Sequence, residues 1–150
     1  MNRVDRELLS WIQKDSQITT AELAEKVGLS ASPVARRLRI LQDQGYIDGY
    51  RAHLNKKKLG LTITTFVNVR LKEHQDAPLI AFEQAVCAMP SVISCHSVSG
   101  SFDYLLQVLT SDFSAYELWV RELRVLPMVS QIDSSFSIRE VKAQEALPIP

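Results

Sequence analysis

The sequence predicts an α+β protein made of two dissimilar halves. Three observations predict it. Apolar residues recur at helical spacing three times before residue 45, strand-like runs alternate with two helical patterns after residue 60, and the charge divides between the same two stretches. The 150-residue chain has 17 basic and 17 acidic side chains, a net charge of zero. Residues 1–58 hold eleven basic and seven acidic side chains, a net of +4, and residues 59–150 hold six and ten, a net of −4. A basic front joined to an acidic back implies two modules facing different partners. With 46% hydrophobic and 23% charged residues the chain can bury a core, which excludes a disordered protein. No apolar run approaches the roughly 18 residues of a membrane span, so no membrane partner is expected.

The front half reads as three helices and a hairpin. Val4, Leu8, Trp11 and Ile12 form one apolar stripe of a first helix. A second helix opens at Thr19, where Thr19-Thr20-Ala21-Glu22 has capping-box spacing, packs through Ala21, Leu23, Ala24 and Val27, and ends at Gly28. The third follows at once, with Ser32 at its cap position and Pro33 at its first helical position. Two helices joined by a short glycine-containing turn are the helix-turn-helix pattern. Val34, Leu38 and Leu41 face the core, so Ser32 and Arg36 point away from it, with Arg39 nearby and Arg37 on the flank. Arginines projecting from the first two turns of a helix can enter the DNA major groove and bond guanine edges or phosphates; solubilising arginines on an exposed helix are the plainer alternative. Asp48-Gly49 between Tyr46-Ile47 and Tyr50-Arg51 is a short-hairpin signal, which would form a wing with Arg51 as a phosphate contact or a purely structural hairpin. The Lys56-Lys57-Lys58 run ending at Gly60 marks a linker, solvated or touching phosphate. The domains expected are thus residues 1–54, a linker over 55–60, and residues 61–150.

The back half repeats itself. Leu79, Phe82, Val86 and Met89 share their spacing with Phe113, Tyr116, Val120 and Leu123. Asp76 and Asp112 are placed as N-caps, and strand-like runs cover residues 61–72 and 102–110, with further runs after Pro90 and Pro127. Strand, helix, strand, taken twice, is the ferredoxin-like βαββαβ order. In the third strand Tyr104, Leu106 and Val108 take one face while Leu105, Gln107 and Leu109 take the other; in the first, Val67, Val69 and Leu71 oppose Phe66. Both faces being apolar, sheet-to-sheet packing in a homodimer is expected. In Ser99-Gly100-Ser101-Phe102-Asp103-Tyr104, small residues leave backbone N–H groups open to a carboxylate and Asp103 could take an ammonium, which suits a free amino acid; an ordinary hairpin turn explains the same residues.

His53, His74 and His96 are scattered, without metal-ligand spacing, and there is no nucleophile elbow or phosphate loop, so neither enzyme activity, cofactor nor metal is expected. Cys87 and Cys95 form no CxxC pair and read as small core residues. Without a signal-like apolar start or a disulfide framework, the cytoplasm is the expected compartment.

These residues together resemble the leucine-responsive/asparagine-synthesis (Lrp/AsnC) family of transcription regulators. The resemblance runs in order through Asp5-Arg6-Glu7-Leu8-Leu9, Ala21-Glu22-Leu23-Ala24, Val27-Gly28-Leu29-Ser30, Ser32-Pro33-Val34-Ala35-Arg36-Arg37-Leu38, Gly45-Tyr46-Ile47-Asp48-Gly49-Tyr50 and Ser99-Gly100-Ser101-Phe102-Asp103-Tyr104-Leu105-Leu106. It implies an N-terminal winged helix-turn-helix that binds double-stranded DNA, followed by a ferredoxin-like domain that binds an amino-acid effector and forms dimers, often assembled into octamers. It points to Ser99, Gly100, Ser101, Asp103 and Tyr104 for the effector, and more weakly to Ser134, Ser135 and Phe136 as a surface brought by a neighbouring dimer. The stretch from Asp103 to Gln107 is similar to members answering to leucine or methionine. Gln42 departs from the Glu of many members. Two alternatives belong to the same resemblance: tetrapyrrole decarboxylation, as in a few relatives, and an amino-acid-binding assembly module that does not bind DNA.

Overall fold

A computed structural model describes residues 1–143 and 146–150. The chain divides into two compact units: Met1–His53 together with Val141–Pro150, and Leu54–Glu140. The sequence assigned residues 141–150 to the back half, and the structure places them with the front unit instead.

In the first unit, α1 (Arg3–Ile12), α2 (Thr20–Val27) and α3 (Ala31–Asp43) surround one small core of Leu8, Ile12, Leu23, Ala24 and Val34. Asn2 and Asp5 form a reciprocal capping box at the start of α1, and Thr19 and Glu22 form another at α2, so each helix begins with its free N–H groups partly satisfied. Gly28 ends α2 in the left-handed region (φ 67°), which turns the chain into α3 within a few residues. The N-cap of α3 is Ser30, not Ser32, and Pro33 lies two positions further into the helix than expected. Proline is tolerated there because its missing N–H would have pointed at a carbonyl before the helix; the first bond within α3 is Val34 N–H to Ser30 C=O. Trp11 is 37% exposed rather than core, and Lys26 Nζ lies 4.0 Å from its ring centroid. Ala21 is exposed as well.

The expected hairpin over residues 46–54 is absent: among the described residues no strand pairing forms there. Asp48-Gly49 permits a tight turn, but an isolated two-stranded ribbon is marginal in water, and here only Ile47 packs on the helical core. The segment is tied back to α3 instead, by Tyr46 N–H to Leu41 C=O and by the Gln42 side-chain amide donating to the Tyr50 hydroxyl at 3.1 Å.

The second unit is an antiparallel sheet of β1 (Ile63–Leu71), β2 (Val92–Ser97), β3 (Tyr104–Thr110) and β4 (Val129–Phe136) in the order β2-β3-β1-β4, with α4 (Asp76–Cys87) and α5 (Phe113–Arg124). This is the ferredoxin-like order. Asp112 caps α5 by accepting the Ala115 N–H, whereas α4 is preceded by Gln75 and holds Asp76 as its first residue. Strand pleating puts Val67, Val69, Leu71, Tyr104, Leu106 and Val108 on the helix side, buried with Phe82, Val86, Trp119, Val120 and Leu123. The opposite face carries Phe66, 40% exposed, and half-buried Leu105 and Leu109. Cys95 packs on the core but Cys87 is exposed. Among the described residues no helix is long and apolar enough to cross a membrane.

Leu8 is fully buried at the centre of a five-residue core, so Leu8→Ala should destabilise the first unit by about 2–5 kcal/mol. Urea unfolding read from Trp11 fluorescence in a Trp119→Phe background should report a loss of that size.

Candidate nucleic-acid interface and effector loop

The core fixes what α3 can present. Val34 and Leu41 are buried, and Arg36, two residues beyond Val34, is rotated from it by about 200°. Ser32, Arg36 and Arg39 are all exposed, and neither arginine has an ion-pair partner among the described residues. The guanidinium groups are therefore available on the outward face of a helix that follows a short turn. Arg37 behaves differently. Its Nη1 lies 2.9 Å from Asp5 Oδ1 on α1, partly buried, so one nitrogen of its fork ties α3 to α1. This places one edge of the Arg37 guanidinium on the helix–helix seam. Burial pushes the Asp5 carboxyl up, but the Asn2 backbone amide and Arg37 outweigh it and hold Asp5 below the usual carboxylate range. Arg51 is exposed on the segment after α3.

In the second unit, Val98 N–H bonds Asp103 C=O and closes the turn over residues 99–102, where Gly100 takes φ 117°, a conformation that disfavours any side chain. The backbone N–H groups of Ser99, Gly100 and Ser101 bond nothing among the described residues. Asp103 is not a free carboxylate. Its Oδ2 accepts the Leu71 N–H at 2.7 Å, and its Oδ1 lies 2.8 Å from His74 Nε2, so both oxygens are engaged within the chain. Burial raises its pKa, and the Leu71 amide and His74 together outweigh that and lower it. Its geometry is that of a clamp between the loop and the end of β1. Arg70 completes the clamp by donating to Ser101 C=O from its Nε at 2.6 Å, with its guanidinium carbon 5.4 Å from the centre of the Phe102 ring. Tyr104 lies inside the core, its ring centroid 4.7 Å from that of Phe82 and its hydroxyl donating to Glu83 at 2.8 Å. Burial, and then Glu83, push its phenol pKa upward.

Ser134 and Phe136 pair opposite Val67 and Thr65, on the helix face of β4. The Tyr116 hydroxyl donates to Ser134, and Phe136 packs edge-on against Phe113 and Tyr116, so both are engaged beneath α5. Ser135 lies on the open face beside Phe66. Within one chain none of the three is brought to the Gly100 turn. Arg70 and His74 were missed by sequence reasoning: a lone Arg on a strand and a His in a connection carry no spacing signal, and only the fold brings them to the turn. Among the described residues no group of three or more His, Cys, Asp or Glu side chains is arranged to hold a metal.

Comparison with known proteins decides the class. Residues 64–147 match the Lrp/AsnC ligand binding domain, and residues 1–48 match a winged helix-turn-helix DNA-binding family. The chain belongs to the Lrp/AsnC family. It is 34% identical over 150 residues to the Bkd operon transcriptional regulator of Pseudomonas aeruginosa, covering 99% of this chain and 98% of that one. Identity with the leucine-responsive regulatory protein of Escherichia coli is 38% over 150 residues, covering 99% and 92%. A transcriptional regulator of Neisseria meningitidis, solved in complex with L-methionine, superposes with a TM-score of 0.95 at 33% identity, covering 99% and 96%. This Lrp/AsnC chain is a DNA-binding transcription regulator and not an enzyme, so tetrapyrrole decarboxylation is set aside. The helix-turn-helix match likewise sets aside an assembly module that does not bind DNA.

Asp103 is only 22% exposed and its pKa is lowered in the folded protein, so its ionisation stabilises the fold above its ordinary pKa of 3.8 and that contribution is lost as pH falls below it. Asp103→Asn should therefore be less stable than the parent chain at pH 7, and the gap should shrink steadily below pH ~4. Urea midpoints across that range check it; a gap independent of pH would mean that the charge on Asp103 does not hold the clamp.

Proposed function

We propose that the chain reads double-stranded DNA through the outward face of α3, with Ser32, Arg36 and Arg39 at the major groove and Arg51 on the phosphate backbone. The observation that carries this reading is the exposed pair Arg36 and Arg39, opposite the buried Val34 and without ion-pair partners among the described residues. A planar guanidinium matches the O6 and N7 acceptors of guanine, whereas a backbone contact adds affinity without sequence preference. Arg37 then acts through the orientation of α3 rather than by touching DNA.

The effector is proposed to be an amino acid of the leucine or methionine class at the Gly100 turn. Unpaired N–H groups over residues 99–101 suit its carboxylate, and the methionine bound by the Neisseria relative supports the class. Ser134, Ser135 and Phe136 would enter only from a neighbouring subunit. The open sheet face around Phe66, Leu105 and Leu109 suits pairing with a second copy, giving a homodimer that presents two α3 helices to a pseudo-palindromic site, with four dimers forming an octamer.

Two measurements test this. On a site selected from a random-sequence DNA pool, Arg36→Ala should lose about 1–3 kcal/mol and relax preference at one base pair, while Arg51→Ala should weaken binding to all sequences and reduce the salt slope by about one. Unchanged anisotropy titrations for Arg36→Ala would remove α3 from the groove. A thermal-shift screen of the common amino acids should single out leucine or methionine, since a ligand at a hundred times its Kd adds roughly 2.7 kcal/mol to folded-state stability. A flat screen would overturn the effector assignment.

A further inference from the structure

The first unit contains a groove of about 910 Å³ between the end of α1 and the segment over residues 46–53, and its remaining wall is the C-terminal stretch over residues 147–150. A pair of hydrogen bonds holds that stretch in place. Gln13, the C-cap residue of α1, accepts the Leu147 N–H at 2.9 Å through Oε1 and donates to the Leu147 C=O at 3.1 Å through Nε2. A side-chain amide that satisfies both backbone groups of one residue reads extended main chain as a neighbouring strand would, and needs nothing from the side chain; that of Leu147 is accordingly 66% exposed. Ile149 is half-buried. Pro148 and Pro150 flank it with fixed φ and no N–H to satisfy, so the segment docks with little conformational entropy to lose.

The other wall of the groove is the segment that forms no strand pairing of its own among the described residues. It is anchored at its start by Ile47, packed on the helical core, by one backbone bond at Tyr46 and by the Gln42–Tyr50 contact, and residues 51–53 beyond these are exposed. Such a segment opens locally unless a second piece of chain supports it. None of Ser32, Arg36 or Arg39 lines the groove, so docking there leaves the outward face of α3 uncovered, while Arg51 does line it.

We infer that residues 147–150 are an intramolecular ligand of the DNA-binding unit, a strap seated by Gln13 and Ile149 that orders the segment over residues 46–53 and so holds Arg51 in place. Its effect on DNA rests on the phosphate-contact reading of Arg51; its effect on order does not. The strap therefore governs backbone affinity and leaves base preference to α3.

The test uses the full chain, a variant ending at Ala146, and Gln13→Leu, whose site is on the surface and whose bulk is retained. In hydrogen–deuterium exchange, amides over residues 46–53 should exchange about tenfold faster in both variants, with α2 and the sheet unit unchanged. A synthetic peptide of residues 141–150 added to the truncated chain should restore protection. Affinity for unrelated duplex DNA should fall about three- to tenfold in both variants, base preference should be retained, and Arg51→Ala should cost nothing further once the strap is gone. Faster exchange with unchanged DNA affinity would support the strap and overturn the phosphate role of Arg51. Unchanged exchange in both variants would overturn the strap itself.

Discussion

Val34 is fully buried against Leu8, Ile12, Leu23 and Ala24, and because an α-helix is rigid, that packing contact sets the rotation of every side chain on α3. Turning α3 by a third of a revolution would bring arginines toward the core and expose Val34, an exchange that burial energetics forbid. The core that enforces this is small. A unit of about sixty residues buries a modest share of its surface, so polar ties at its edges matter more than they would in a larger domain. Asn2 with Asp5, Thr19 with Glu22, and Arg37 with Asp5 are such ties. Arg37–Asp5 joins α1 to α3 directly and reinforces the same rotation that Val34 sets.

In the sheet unit the controlling constraint is the two-residue period of the strand. One face of β1 and β3 disappears beneath α4 and α5, and the same backbone must send Phe66, Leu105 and Leu109 to the other side. The Gly100 turn sits at the end of this sheet and is not loose: Asp103 grips the Leu71 amide and His74, and Arg70 grips the Ser101 carbonyl. A ligand at such a turn meets a pre-ordered backbone and shifts an equilibrium only through its preference for one arrangement over another. Arg70 and His74 lie at the joint between the turn and β1–α4, where a sub-ångström movement would be passed to the sheet.

Much of this was legible in the sequence because it depends on local rules. Thr19 with Glu22, Gly28, the Val34–Leu38–Leu41 stripe and the alternation from Tyr104 to Leu109 each appear where their spacing placed them. What was illegible depends on distant partners. Arg37 reads as a flank arginine with no partner until Asp5, 32 residues earlier, is found beside it. Asp103 reads as an open carboxylate until the topology delivers Leu71 and His74. Asp48-Gly49 encodes a turn but carries no information about whether flanking residues find a partner, and they do not pair. The shift of the α3 cap from Ser32 to Ser30 is a near miss of another kind, since two serines compete two residues apart and Pro33 is acceptable in either register. Leu147 is held to the first unit by the Gln13 side-chain amide, and no periodicity announces that.

Charge then limits what the first unit accomplishes alone. It leaves Lys56, Lys57 and Lys58 of the +4 front half to the other unit, and Arg37 is tied to Asp5 and Arg3 to Glu7, which leaves few cations for phosphate. Each neutralised phosphate adds roughly 0.9 to the salt slope, so a reader with few such contacts has weak non-specific affinity. In the proposed dimer, affinity would come from base contacts and from joining two readers, where the second helix binds at an effective concentration set by the assembly rather than by bulk protein. Under that arrangement an effector need not touch α3. A coupling of about 1–3 kcal/mol between ligand and assembly would change affinity roughly 5- to 150-fold.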